Sequence, residues 1–247
     1  MVRRMELAEF REILQRHNNW LRSGCVNHND NSAPAVFEHV DLTDAINDYI
    51  WSQDKQLCLT RCTFYNVRLP RVRLHGVDIS WSQFQDCDLS ATHLVHAKLH
   101  DSLFSNCELV GAYVYYSDFS DCRLTKCNVK LAEFEYCNFN RSDWYDTDFD
   151  NTRKFVGCSI VGVTNHEYEF SCVPMCRLDF GVWPVTITRT MTQIGCQKRP
   201  NEFWLTVEDG ARELDQMNSH AIEWWRKYGT AIKAAIQAVQ TTVKHQE

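Results

Sequence analysis

From Leu59 to Phe149 a large apolar residue returns every five positions without a miss, running through Phe64, Leu69, Leu74 and Ile79 to Phe139 and Trp144. Two residues before each of these centres stands a more compact residue, as in Cys62, Val67, Ser82, Cys87, Thr92, Ala97, Cys107 and Ser117. Side chains on a strand alternate between faces, so an odd spacing of five cannot stay on one side of a straight strand. The chain must therefore turn a corner once per unit. The centre and the residue two before it then point inward, and the other three point to solvent. Such turns stack into a solenoid whose coils lie about 4.8 Å apart, the ordinary strand spacing.

These units also carry a signature. Cys87-Asp88-Leu89-Ser90-Ala91, Ser117-Asp118-Phe119-Ser120-Asp121 and Cys137-Asn138-Phe139-Asn140-Arg141 follow the pattern A(D/N)LXX and resemble the pentapeptide-repeat family. The resemblance implies a mainly β fold, a right-handed quadrilateral β-helix with four units, roughly 20 residues, to a coil. Phe64, Phe84, Phe104, Leu124 and Trp144 should then form one internal stack. Cys often replaces the family's Ala. Leu57, Val67, Val72 and Val77 fill the compact slot of the first coil, which predicts a wider or less regular start.

Around this core the chain divides into segments. Residues 1–34 read as a helix with Leu7, Phe10, Leu14, His17 and Leu21 at helical spacing, ending near Gly24, followed by an Asn- and Asp-rich loop. Residues 35–163 read as the β-helix, with a regular core at 57–151. Ala35, Phe37, Val40 and Leu42 make a false start, and the register breaks between Asp44 and Gln56. After Asn151 one residue is inserted, and Arg153, Phe155, Cys158 and Ile160 continue the motif out of phase. Residues 164–203 read as loop and then one alternating strand from Val185 to Ile194. Residues 204–247 end in a helix whose apolar positions Met217, Ala221, Trp224, Tyr228, Ile232, Ala235 and Val239 recur every three or four residues, suited to cap the open coil or to form a homodimer.

The 12 cysteines read as reduced and structural, because Cys62, Cys87, Cys107, Cys122, Cys127 and Cys137 occupy the compact interior slot. Cys172 and Cys176 form a lone CxxxC without a second pair, too little for a closed zinc site. No cofactor or metal is expected. No apolar run approaches the roughly 18 residues of a membrane span, and the N-terminus lacks the apolar stretch of a signal peptide. A cytoplasmic location is the expectation, with no membrane partner.

Large apolar residues are consumed by the core, so function must lie in the outward columns. Beside the centres Leu74, Leu94, Val114 and Phe134 stand Arg73, His75, His93, His96, Tyr113, Tyr115, Tyr116 and Tyr136, a candidate recognition face. Its alternative is that flanking helices cover it. A second candidate is an acidic end at Asp101, Asp121, Asp143, Asp146, Asp148 and Asp150, unsuited to binding phosphates directly and suited to steering a basic, nucleic-acid-binding protein. No nucleophile motif, Gly-rich phosphate loop, HExxH or paired CxxC accompanies these residues, so an enzyme is not expected. The reading is a non-catalytic protein-binding scaffold. Its alternatives are DNA mimicry, which the resemblance implies for topoisomerase-inhibiting members of the family, and a nucleotide-sequestering protein with Tyr113, Tyr115 and Tyr116 as base platforms. Net charge is −6, and no outward column is continuously acidic. His17, Trp20, Leu21, Ile194-Gly195-Cys196 and Trp204 resemble the flanks of pentapeptide-repeat proteins carried by bacteriophages, which implies an inhibitor of a host or defence protein.

Overall fold

The computed structural model describes residues 2–26, 32–52, 57–147, 149–160, 163, 176–180, 183–188, 190–195, 197–208 and 220–244. Strand β1 (Arg3–Arg4) leads into helix α1 (Leu7–Arg22), followed by β2 (Val36–Glu38), β3 (Val40–Asp41) and α2 (Thr43–Ser52). Helix α2 occupies the register break between the false start and the regular coils. Phe10 and Leu14 of α1 are buried, and the Phe10 ring lies 5.7 Å from Phe37 and 5.6 Å from Tyr49. The two helices thus cover the apolar interior at the N-terminal end of the coil, whose edge β-groups would otherwise be open to pairing.

The solenoid makes about five turns. Its strands are β4 (Thr63–Tyr65), β5 (Gln83–Gln85), β6 (His93–Val95), β7 (Leu103–Ser105), β8 (Tyr113–Tyr115), β9 (Arg123–Thr125), β10 (Glu133–Glu135), β11 (Asp143–Tyr145) and β12 (Lys154–Val156). One side is a six-stranded parallel sheet in the order β11-β9-β7-β5-β4-β2, and another is a four-stranded parallel sheet in the order β12-β10-β8-β6. The two remaining sides are held by single parallel bridges such as Asp78↔Lys98 and Asp88↔Glu108. The first coil has only the bridge Arg73↔His93 where the later coils have a strand, consistent with its bulkier compact-slot residues. Every fifth residue from Arg61 to Asp146 has positive φ, so each corner is turned by one left-handed residue.

The period acquires a physical meaning inside the coil. Phe37, Phe64, Phe84 and Phe104 stack with centroids 5.2, 4.4 and 4.8 Å apart, and Leu124 and Trp144 continue the column in register. The compact slot does more than save space. Ser82, Thr92, Ser102 and Ser117 each donate their hydroxyl to a carbonyl of the preceding coil, at 2.8 to 3.1 Å. The thiols of Cys87, Cys107, Cys122, Cys127 and Cys137 point at the equivalent carbonyls. A second hydrogen bond on a buried carbonyl explains why Ser, Thr and Cys fill this slot. Outside, Asp78, Asp88, Asp118 and Asn138 accept the amide two residues on, which accounts for Asp or Asn before the centre.

Beyond the coil lie β13 (Cys176–Asp179), β14 (Pro184–Ile187), β15 (Met191–Ile194), β16 (Gln197–Pro200), α3 (Asn201–Thr206) and α4 (Ala221–Lys244). The single strand expected from Val185 to Ile194 is two antiparallel strands. The chain reverses because the Thr188 amide bonds the Met191 carbonyl at 2.7 Å and the Thr188 hydroxyl accepts the Met191 amide. The β13–β16 sheet abuts the last coil: the Phe155 amide donates to Gln193 Oε1 at 2.9 Å, and Lys198 Nζ donates to the Thr152 carbonyl. Helix α4 does not itself sit on the coil core. Ala221, Trp225, Ile232, Ile236 and Val239 pack with Val185, Ile187, Ile194 and Trp204 in a second core. Of the apolar stripe read from sequence as a cap or a dimer face, Ala221, Trp224, Ile232 and Val239 are buried in this second core, Tyr228 and Ala235 pack against it, and Met217 lies outside the described residues.

Candidate functional site

The four-stranded sheet carries the Tyr/His residues in strict register. His93, Tyr113, Glu133 and Lys154 follow one another across β6, β8, β10 and β12, and Val95, Tyr115, Glu135 and Val156 form the neighbouring row. Turning off this sheet, His96, Tyr116 and Tyr136 occupy successive corners. Their rings stack at 5.3 Å and 16° and at 5.0 Å and 9°. Tyr116 is 55% and Tyr136 50% exposed, so no described residue covers the ladder. Under Tyr136 lies Gly157, where a Cβ would come within 2.5 Å of Tyr136 Cδ1. Glycine there lets the last ring lie flat on the backbone.

His93 stacks on Tyr113 at 5.0 Å, and its ring lies 6.5 Å from His75. Partial burial, then Arg73 and His75, hold the His93 imidazole below its ordinary proton affinity. At the opposite end of the face the chemistry changes. Tyr115 Oη donates to Glu135 Oε1 at 3.0 Å and to Glu133 Oε2 at 3.3 Å, and burial together with these carboxylates raises its phenol well above the usual value. Lys154 bridges Glu133 and Glu135 at 3.5 and 2.8 Å, and Arg153 reaches Glu133 at 3.2 Å. Tyr115 is thus a positioning group for two compensated carboxylates and not a free platform. Arg153, Lys154 and Gly157, absent from the sequence candidates, complete the face.

The acidic candidates border the six-stranded side, where arginines interrupt them. Asp101 and Asp121 fall on a corner column with Arg61, Trp81 and Arg141. Asp143 and Asp146 belong to β11 and its following corner, on the six-stranded side. Arg141 binds Asp121 through two hydrogen bonds of 2.6 and 2.7 Å, His100 meets Asp101 at 2.9 Å, and Arg123 meets Asp143 at 3.4 Å. Asp146 is exposed. Asp148 and the Asp150 side chain lie outside the described residues, as do Cys172 and the Cys176 side chain. Among the described residues no group of three or more His, Cys, Asp or Glu is placed to hold a metal ion, and no helix is long and apolar enough to cross a membrane.

One His–Cys contact invites a catalytic reading. His17 Nε2 lies 3.5 Å from Cys62 Sγ, but the same nitrogen is 2.9 Å from the Thr60 carbonyl, while Nδ1 accepts the Ala35 amide at 3.0 Å. Burial lowers the imidazole and raises the thiol well above its usual value, so both stay neutral. A thiolate nucleophile needs the reverse.

Residues 58–130 match the family model described as a pentapeptide repeat region. No curated protein sequence matches the chain. Among solved structures, a pentapeptide repeat protein from the thylakoid lumen of Arabidopsis thaliana is 17% identical, with a TM-score of 0.30, over 37% of this chain and 60% of that one. The chain therefore spans less than two thirds of that protein. QnrB1, a plasmid-mediated fluoroquinolone resistance protein, is 16% identical over 54% of this chain and 74% of its own, with a TM-score of 0.33. HetL, a pentapeptide repeat protein involved in heterocyst differentiation regulation in the cyanobacterium Nostoc, is 13% identical over 53% of this chain and 78% of its own, with a TM-score of 0.16.

Proposed function

We propose that this chain, whose coil is a pentapeptide-repeat β-helix, is a non-catalytic protein-binding scaffold that meets its partner through the Tyr/His face. The observation that carries this reading is the exposed ladder of His96, Tyr116 and Tyr136. Three aromatic rings held parallel by a rigid coil have little side-chain entropy left to lose on binding, which is how aromatic anchors gain affinity.

The geometry favours a protein over a nucleotide. Both faces of the Tyr116 ring are occupied, by His96 and by Tyr136, and the Tyr115 hydroxyl is held by two carboxylates. On Tyr116 the ring edge and hydroxyl are what remain for a ligand, and these suit edge-to-face packing with side chains better than stacking of a base. DNA mimicry is supported less, because Asp121 and Asp143 are paired with arginines. A finer reading makes the partner a host or defence protein that this chain inhibits. It rests on the resemblance of the flanks to bacteriophage proteins. In the fold, His17 belongs to the helix over the first coil and Trp204 to the second core.

The test is partner capture from host lysate by wild type, by Tyr116→Ala/Tyr136→Ala, and by Gln83→Ala/Gln85→Ala on the six-stranded side. A protein recovered by wild type and by the glutamine variant but lost with the tyrosine variant supports the reading. Equal recovery by all three excludes the face.

A further inference from the structure

Charge along the Tyr/His face follows an order that the aromatic ladder alone does not explain. The first coil contributes Arg71, Arg73 and His75, all exposed, and the second adds His93 and His96. Arg73 and His93 are bridged neighbours, and His75 and His93 stand 6.5 Å apart, so one guanidinium and two imidazoles converge on a small area. Elsewhere on the coil Arg68 faces Asp41 and Asp88, Arg123 faces Asp143, Arg141 faces Asp121 and Arg153 faces Glu133, while Arg61 lies over the Trp81 ring. Arg71 and Arg73 have no carboxylate or aromatic partner among the described residues. At the far end Glu133 and Glu135 are compensated by Arg153, Lys154 and the Tyr115 hydroxyl, so they offer no net charge to a ligand. Among the described residues the face is therefore unbalanced at one end only, and the imbalance is positive.

We propose that Arg73, His75 and His93 receive carboxylate side chains from an acidic segment of the protein partner, whose apolar side chains then lie along Tyr113, Tyr116 and Tyr136. This rests on the reading of the face as a contact surface and adds to it the partner's chemistry and its direction along the coil. It also reverses the polarity expected from the aspartate count, which pointed to a basic partner.

The groups facing His93 are Arg73 and His75 from the preceding coil and Tyr113 from the following one. The first two oppose its protonation in the free protein. A bound carboxylate reverses that balance, so binding takes up protons and tightens as pH falls through the imidazole range.

The experiment selects a random peptide library on the immobilised full chain at pH 6. The enriched peptides are then measured by fluorescence anisotropy against wild type, Arg73→Gln/His75→Gln and Tyr116→Ala/Tyr136→Ala at pH 6 and pH 8. The expected peptides combine Asp or Glu with an aromatic or aliphatic residue. They weaken about tenfold on Arg73→Gln/His75→Gln, as loss of exposed charge contacts at two positions implies. They bind wild type several-fold tighter at pH 6 than at pH 8 and lose most of that difference in a further variant, His93→Gln. Peptides that need the tyrosines but carry no acidic bias, or that ignore Arg73→Gln/His75→Gln, overturn this inference while leaving the contact face intact. Peptides indifferent to both variants, or a library that yields no binder, overturn both.

Discussion

Replacing Phe84 tests whether the aromatic column holds the coil together. Phe84 is 2% exposed and lies between Phe64 at 4.4 Å and 4° and Phe104 at 4.8 Å and 2°. Truncation of a buried Phe to Ala costs about 3–5 kcal/mol. Two parallel ring contacts, at about 0.5–1.5 kcal/mol each, place Phe84→Ala in the upper part of that range, near 5 kcal/mol. Phe84→Leu should cost only about 1–2 kcal/mol, because the same column already accepts Leu124 between Phe104 and Trp144 and the swap leaves little empty volume. Urea unfolding followed by circular dichroism measures both, with an unchanged slope showing that the same surface is exposed. Adding Phe104→Ala to Phe84→Ala should give a coupling of at least about 0.5 kcal/mol, and adding Trp225→Ala from the second core should be additive. If Phe84→Ala costs less than about 2 kcal/mol, or as little as Phe84→Leu, the column is a consequence of the coil and not a source of its stability.

Two further substitutions probe the segments flanking the coil. His17 is neutral and buried, with both ring nitrogens engaged, and burial depresses its proton affinity. The unfolded chain therefore binds a proton that the folded chain refuses. The stabilisation is complete above the unfolded imidazole value of about 6.5 and is lost as pH falls below it. Urea midpoints at pH 7.5 and 5.5 should separate for wild type and converge for His17→Gln, and an unchanged separation would assign the acid sensitivity elsewhere. In α4, Gly→Ala ordinarily gains about 1 kcal/mol of helix stability. At Gly229 the new Cβ would lie 2.8 Å from Cε2 of the buried Trp225 ring, so Gly229→Ala is expected to lower the melting temperature, and a rise would mean that the indole moves aside.

The coil was legible because its geometry depends on the five-residue period and on little else. Even the inserted residue after Asn151 appears in the structure, as a shift that pairs Glu133 with Lys154. The shift also changed the partners of the acidic residues. A column aligned at constant period sets Arg153 beside Glu133 and Phe155 beside Glu135, whereas the inserted residue brings Lys154 against both carboxylates. Ion pairs across coils, such as Arg141 with Asp121, escape a count of charges along the chain for the same reason: they join residues distant in sequence but adjacent in space. The compact-slot cysteines were read for size alone, and their role as donors to the preceding coil emerges only once the carbonyls are in place. Beyond the coil no period operates. The β14–β15 reversal turns on the hydroxyl of Thr188, one threonine among several in an alternating run.

The corners give the strongest reason to look for function on one side. Each corner residue is left-handed, a conformation that costs a residue with a side chain about 1–2 kcal/mol and that Asn and Asp tolerate best. The corner at Asn66, Asp86 and Asn106 obeys that rule. The corner at His96, Tyr116 and Tyr136, at φ of 53°, 49° and 54°, breaks it at two tyrosines in succession. Trp81 and Leu131 show that one bulky residue at a corner is tolerated, so strain by itself does not mark a site. Contiguity is what distinguishes the ladder. Stacking offsets part of the strain at each step, about 0.5–1.5 kcal/mol per ring pair. It does so by holding the rings in water, where the coil gains nothing from burying them. A chain built only to close its coils would place Asn or Asp at these positions. On the proposed reading the rings are anchors whose remaining apolar surface a partner would bury.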